Sequence, residues 1–295
     1  MKKLRCCFLL FLVILCLVSV SAQALVQKNP MLDKALSMLE QGNMFLERYN
    51  LLTGSNIQAV FPLGVPYFYG GQSYDRMMAN YPNYSRANSL ETTSFFKAGK
   101  LYILGFDCAG YADWICESNG LEEVPPLSSA LTNYGKYGRN YVFTSNSNVK
   151  KPMPDWSVVA QHLQVGDFYI VYRNGSRHIL MFIGTLRDYS FTKKEAPLLA
   201  DYLDYPLVAH CGTSPVFGER FSNFIAENPE FSRCNTTDGG VHVSIIGVPL
   251  EAAPFHERVQ LSNFSYFKLP GNGQVMTIFD LGVVSSYCWF RQTGL

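Results

Sequence analysis

The chain has 295 residues, 48% hydrophobic and 16% charged, a globular and charge-poor composition with length for one large domain or two small ones. Its 24 Lys and Arg against 23 Asp and Glu leave a formal net charge of +1, so no bulk field selects nucleic acid or an anionic surface as a partner. Aromatic residues reach 14%, enough to fill a core or line a groove.

The first element is a targeting signal. Lys2, Lys3 and Arg5 precede the apolar run Phe8 to Val20, and Ala22-Gln23-Ala24 supplies a small-residue cleavage site. This predicts a secretory signal peptide over 1–24, cut after Ala24, and a mature protein that is secreted or held in the cell envelope. An uncleaved anchor is the alternative, as is lipid attachment at Cys16, although Leu15 before it is bulky for that. No later stretch has the length and apolarity of a membrane span, so the expectation is a monomer without stable membrane association. Of the 8 Cys, Cys6, Cys7 and Cys16 leave with the signal. Cys108, Cys116, Cys211, Cys234 and Cys288 remain, an odd set in which Cys211 and Cys234 flank a polar loop and could bridge. Asn83, Asn174, Asn235 and Asn263 are glycosylation acceptors on a eukaryotic secretory route.

Residues 25–60 read as an N-terminal helical segment. Leu32, Ala35, Leu36, Leu39 and Phe45 recur with a helical period over 29–49, Asn29-Pro30 opens the run and Gly54 lies past its end. A separate attachment ending near residue 60 is conceivable, with one domain over 61–295. The turn-rich aromatic stretch Gly64 to Gly71, "GVPYFYGG", leads into a polar insertion at about 72–100, expected as loop with one short helix. A helix runs from Cys108 to about Ser118, with Gly120 to close it. A second insertion, at about 122–155, reads as loops with one short strand. Beyond Val165 the period changes to two. Phe168 to Tyr172 and His178 to Ile183 flank Asn174-Gly175 as a hairpin. A third insertion falls at about 185–205. Further strands are expected at Leu207 to His210, Val241 to Val248, Val275 to Phe279 and Tyr287 to Phe290. Helices first and sheet after predict an α+β domain, its helices packed on one face or end of a largely antiparallel sheet.

Chemistry concentrates at "GFDCAGYADWI", residues 105–115. A cysteine at a helix N-terminus meets free backbone N–H groups and the positive end of the helix dipole, which favour thiolate. A buried structural thiol is the plainer reading. A nucleophile needs a base and a group that orients the base. The 5 His are His162, His178, His210, His242 and His256. His178 opens the apolar strand "HILMFIG" and His210 closes "YPLVAH", both strand-end positions; the other three sit in less distinctive contexts.

Taken together, "GVPYFYGG", Asp107-Cys108-Ala109-Gly110, Gly166-Asp167 and His178-Ile179 stand in the order found in the NlpC/P60 superfamily of papain-like cysteine peptidases, which the chain resembles. The resemblance implies a papain-like α+β fold, with an antiparallel sheet packed against helices and the nucleophile at a helix N-terminus. It implies hydrolysis of peptide bonds in bacterial cell-wall peptidoglycan, with no cofactor or metal. Cys108, His178 and His210 take the catalytic positions, and Tyr67 and Asp107 border substrate and oxyanion. Asp107 also reads as the cap of the helix. Two departures stand out. Tyr69 replaces the common Trp of the aromatic segment and Ala109 the common Ser after the nucleophile, so substrate would be held differently. The same three side chains also serve an N-acyl amidase or acyltransferase, the fold could carry a non-catalytic wall-binding module, and zinc on Cys108, His178 and His210 is a further alternative without supporting ligand spacing.

Overall fold

The computed structural model describes residues 26–67, 71–72, 74–75, 94–97, 100–103, 105–124, 141–143, 155–173, 176–212, 226–227, 239–248, 264–268, 275–279 and 286–292. The expected signal, the four glycosylation acceptors, Cys234, His256 and most of the first two expected insertions lie outside them.

The N-terminal segment forms two helices. In α1 (Pro30–Ser37), Asn29 caps the start by accepting from the N–H groups of Met31 and Leu32, and Pro30 takes the first turn, where no donor is needed. The chain turns through Met38 to Asn43, and Asn43 caps α2 (Met44–Thr53) by accepting from the N–H of Phe45. Gly54 ends that helix in the left-handed conformation. The single helix expected over 29–49 is thus broken between Met38 and Asn43, where the Asn43 oxygen takes the Phe45 N–H that a continuous helix would use. Neither helix is an appendage. Met31, Leu32, Ala35 and Leu36 are fully buried in the main core. Tyr111 donates its hydroxyl to the Ala35 carbonyl at 3.0 Å, tying α1 to α3 (Cys108–Glu117). Arg48 of α2 donates to the Tyr189 carbonyl at 3.0 Å, pairs with Glu195 at 2.7 Å and lies over the Phe191 ring.

Ten strands are described: β1 (Ser94–Lys97), β2 (Lys100–Ile103), β3 (Tyr141–Phe143), β4 (Phe168–Arg173), β5 (Ser176–Thr185), β6 (Pro206–Gly212), β7 (Gly240–Ile246), β8 (Phe264–Lys268), β9 (Val275–Phe279) and β10 (Ser286–Phe290). β1 and β2 pair as a hairpin at the end of the stretch expected to be loop. The other eight form one sheet in the order β3-β10-β4-β5-β6-β7-β9-β8, antiparallel throughout except for parallel β7 and β9. The protein is therefore an α+β molecule built on a mainly antiparallel sheet. Arg173 faces Ser176, so Asn174 and Gly175 alone join β4 to β5, as the hairpin reading requires. The expected short strand within 122–155 is β3; β8 and the helix α4 (Trp156–Gln161) were not anticipated.

Both faces of the sheet are covered, which corrects the expected one-sided arrangement. Phe168, Ile170, Ile179, Met181, Leu207, Ala209, Val241, Val243 and Ile245 pack with α1, α2 and α3. Tyr169, Val171, Leu180, Phe182, Val208 and Ile246 pack with Trp156 and Val159 of α4. The strands read as continuous apolar runs because each alternate side chain has its own layer to enter.

Candidate active site

The start of α3 is an interlocked unit. The N–H of Asp107 donates to the Gly71 carbonyl at 2.9 Å, and Asp107 Oδ1 accepts from the N–H of Gly110 at 2.7 Å, capping the helix. A Cβ on Gly110 would stand 2.1 Å from the Gly71 carbonyl oxygen, so glycine is required for the Gly71-Gln72 backbone to pass so close. The same aromatic segment continues backwards along the site. Tyr67 bridges Phe106 in parallel, Pro66 bridges Gly240, and the Tyr67 N–H donates to the Gly239 carbonyl at 2.9 Å. Tyr67 is thus beside the strand leading to Cys108, its side chain half-buried against the main core.

Cys108 is half-buried at the first position of α3. Burial pushes its thiol up to about 11, against backbone hydrogen bonds from Ile179, Ala109 and Cys108 itself that pull it down, while the Asp107 carboxylate pushes it further up. The expectation of a resting thiolate is therefore not met: loss of solvation outweighs the helix N-terminus. The Ile179 contact matters more for geometry. It brings the sulfur to the peptide unit that joins His178 to Ile179 on β5.

The histidines come from the opposite layer. By strand alternation His178, His210, His242 and Ser244 share a face with Leu180, Phe182, Val208 and Ile246, whereas α3 packs on the other side. The paired residues of β5 and β6 run from Thr185–Pro206 to Met181–Ala209, and neither Leu180 nor Ile179 is among them. Where this ladder ends, the thiol meets the backbone of Ile179. His178 Nε2 lies 2.8 Å from His210 Nδ1, the rings edge to face. His210 Nε2 lies 2.7 Å from Ser244 Oγ. His242 packs its ring 4.0 Å from that of His210 and hydrogen-bonds the Gly240 carbonyl through Nδ1. A Cβ on Gly212 would come within 3.0 Å of His178 Cε1, so the β6 backbone itself presses on the ring.

Burial pushes His178 down to about 3, with His242 adding to the shift. It pushes His210 well below the ordinary histidine value, aided by His242 and His178. Both shifts favour the neutral imidazole, as burial favours the neutral thiol at Cys108.

The structure brings His178 and His210 together, sets the Cys108 thiol at the backbone of Ile179, the residue after His178, and gives Asp107 the role of helix cap. Ser244, His242 and Gly212 belong to the same cluster and were missed. The alternation of "VHVSII" places His242 and Ser244 on one face, and the pairing of His210 with His242 sets them beside the site. His162 is the C-cap residue of α4. Cys116, Cys211 and Cys288 are buried, and Cys211 donates to the Phe106 carbonyl at 3.2 Å; Cys234, considered as its bridge partner, lies outside the described residues. Asp167 pairs through both oxygens with Arg291, at 2.6 and 2.8 Å, a tie between β4 and the chain end. Among the described residues no group of three or more His, Cys, Asp or Glu is arranged to hold a metal, and no helix is long and apolar enough to cross a membrane. Compared with protein-family models, curated proteins and solved structures, the chain matches none.

Proposed function

We propose that this chain is a cysteine peptidase of the papain-like NlpC/P60 type, exported from the cytoplasm and acting on the stem peptides of bacterial peptidoglycan. The observation that carries the chemistry is the 2.8 Å contact of His178 Nε2 with His210 Nδ1, beside a helix-start thiol that reaches the backbone of Ile179. The substrate class rests on the ordered motifs from Gly64 to Ile179.

His178 Nε2 faces His210 Nδ1, and this reading gives the thiol proton to the other ring nitrogen, Nδ1. As Cys108 Sγ bonds to the scissile carbonyl carbon, its proton passes to His178 Nδ1. The oxyanion meets the N–H groups of Cys108 and Ala109 at the open end of α3; such donors contribute about 2.7–4 kcal/mol each in a well-studied case. Collapse breaks the C–N bond, and the amine leaves with the proton held on His178. Water, deprotonated by the same nitrogen, then hydrolyses the thioester. His210 is a positioning residue here: it accepts from His178 Nε2–H and so supports the transient imidazolium.

Purified peptidoglycan incubated with the protein and resolved by mass is the test. Wild type is expected to release fragments cut at a stem-peptide amide. Cys108→Ala and His178→Ala should each lose at least about a thousandfold in rate with unchanged circular dichroism. His210→Ala should lose less, and Cys116→Ala almost nothing. Retained cleavage by folded Cys108→Ala, or no cleavage by wild type, would overturn the proposal.

A further inference from the structure

We infer that Gly212 is a positioning residue for the site: the side chain it lacks leaves the seat in which the His178 ring meets His210. The inference rests on the reading of His178 as the base. Gly212 is the last residue of β6, paired with Gly240 of β7, and it is not among the described glycines of positive φ. Its backbone conformation is thus open to any residue. A glycine in a strand gives up more chain freedom on folding than other residues and packs no side chain, so it marks a place where another group comes close. Gly247 has two grounds for being glycine, a φ of +87° and the Trp156 ring in the way of a Cβ. Gly212 has only the second kind.

The group that comes close is the contact between the two histidines. A Cβ on Gly212 would stand 3.0 Å from His178 Cε1, 3.3 Å from His178 Nε2 and 3.5 Å from His210 Nδ1. It would crowd both nitrogens of the 2.8 Å contact and the carbon beside one of them. The two rings are not equally able to give way. His210 is fully buried, and the His242 ring lies 4.0 Å from it. His178 is half-buried and stands beyond the last paired residues of β5 and β6, Met181 and Ala209. The crowding that a methyl brings at 212 is therefore relieved by the His178 ring, which turns away from His210. The contact lengthens while β6 keeps its shape, because a packed interior has no spare room for one more carbon.

NMR of the full chain gives a reading without substrate. Wild type should show cross-relaxation between His178 Hε1 and the Gly212 Hα protons, and Gly212→Ala should shift the His178 ring signals with unchanged circular dichroism. On a peptidoglycan fragment, Gly212→Ala should lower kcat by about tenfold or more with KM within about twofold. His210→Ala leaves no contact for the methyl to lengthen, so adding Gly212→Ala to His210→Ala should cost less than about twofold further. A glycine needed only by the strand would lower both backgrounds by the same factor. That outcome overturns the inference, as do unchanged His178 signals in folded Gly212→Ala. Should Gly212→Ala not fold, wild type decides: cross-relaxation between His178 and Gly212 upholds the seat, and its absence overturns the inference. Shifted His178 signals in Gly212→Ala, in a protein whose wild type cleaves no peptidoglycan, uphold the seat and remove the peptidase reading.

Discussion

A thiol held neutral by burial behaves differently with pH from one in a preformed ion pair. Because burial holds Cys108 near 11, its thiolate is on the order of 0.1% of the population at pH 8. Alkylation of Cys108 by iodoacetamide should therefore rise about tenfold per pH unit from pH 7 to 10, and a plateau near pH 7 would show an ion pair instead. Cys116, buried and pushed up to about 12, should react far more slowly at every pH. At this scale the helix start at Cys108 was legible, whereas His178, expected to open its strand, is the third residue of β5. Ser244 and Gly212 were not legible, because their meaning lies in what the neighbouring strand brings against them. The thiol's raised value was not legible either: a helix start announces a dipole, but burial depends on the layers packed around it.

Elements show the same division. The hairpin of β4 and β5 was readable from Asn174-Gly175, and α3 from its period and from Gly120, because local preference and final structure agree there. The break between α1 and α2 was hidden under apolar residues that continue the helical spacing through Leu39, which stays buried in the turn. The two-sided cover of the sheet was hidden because α4 is only six residues long, too short to show a period. Integration of α1 into the core carries a prediction. Leu36 is fully buried, and Leu36→Ala should cost about 2–5 kcal/mol in a urea unfolding series monitored at residues of the sheet as well as the helix. A separately melting N-terminal segment, with the sheet unaffected, would contradict the shared core.

For the molecule as a whole, histidines held neutral by the fold make acid a denaturant. His178 binds its proton near pH 6.5 when unfolded and near pH 3 when folded. The unfolded chain therefore holds more protons between those values, and the stability His178 contributes is complete above about pH 6.5 and drains away as pH falls toward 3. Asp113, pushed up to about 6 by burial, works the other way between about 6 and 3.8. The comparison that isolates the histidine is urea midpoints of wild type and His178→Asn at pH 7.5 and 4.5. Wild type should lose more on acidification, and equal losses would remove His178 as the cause. The docking of α2 on residues around Tyr189 has a consequence of another kind. Arg48 meets Tyr189 across 141 positions of chain, and α1 buries itself among strands from the second half of the sequence. α1 and α2 thus have partners that are synthesised well after them. Contacts this remote close large loops before they bring any gain, so the chain belongs with slow, high-contact-order folders. α1 and α2 must remain partly unsatisfied during translation, and a ribosome-bound fragment ending before residue 165 should stay sensitive to protease across 30–53.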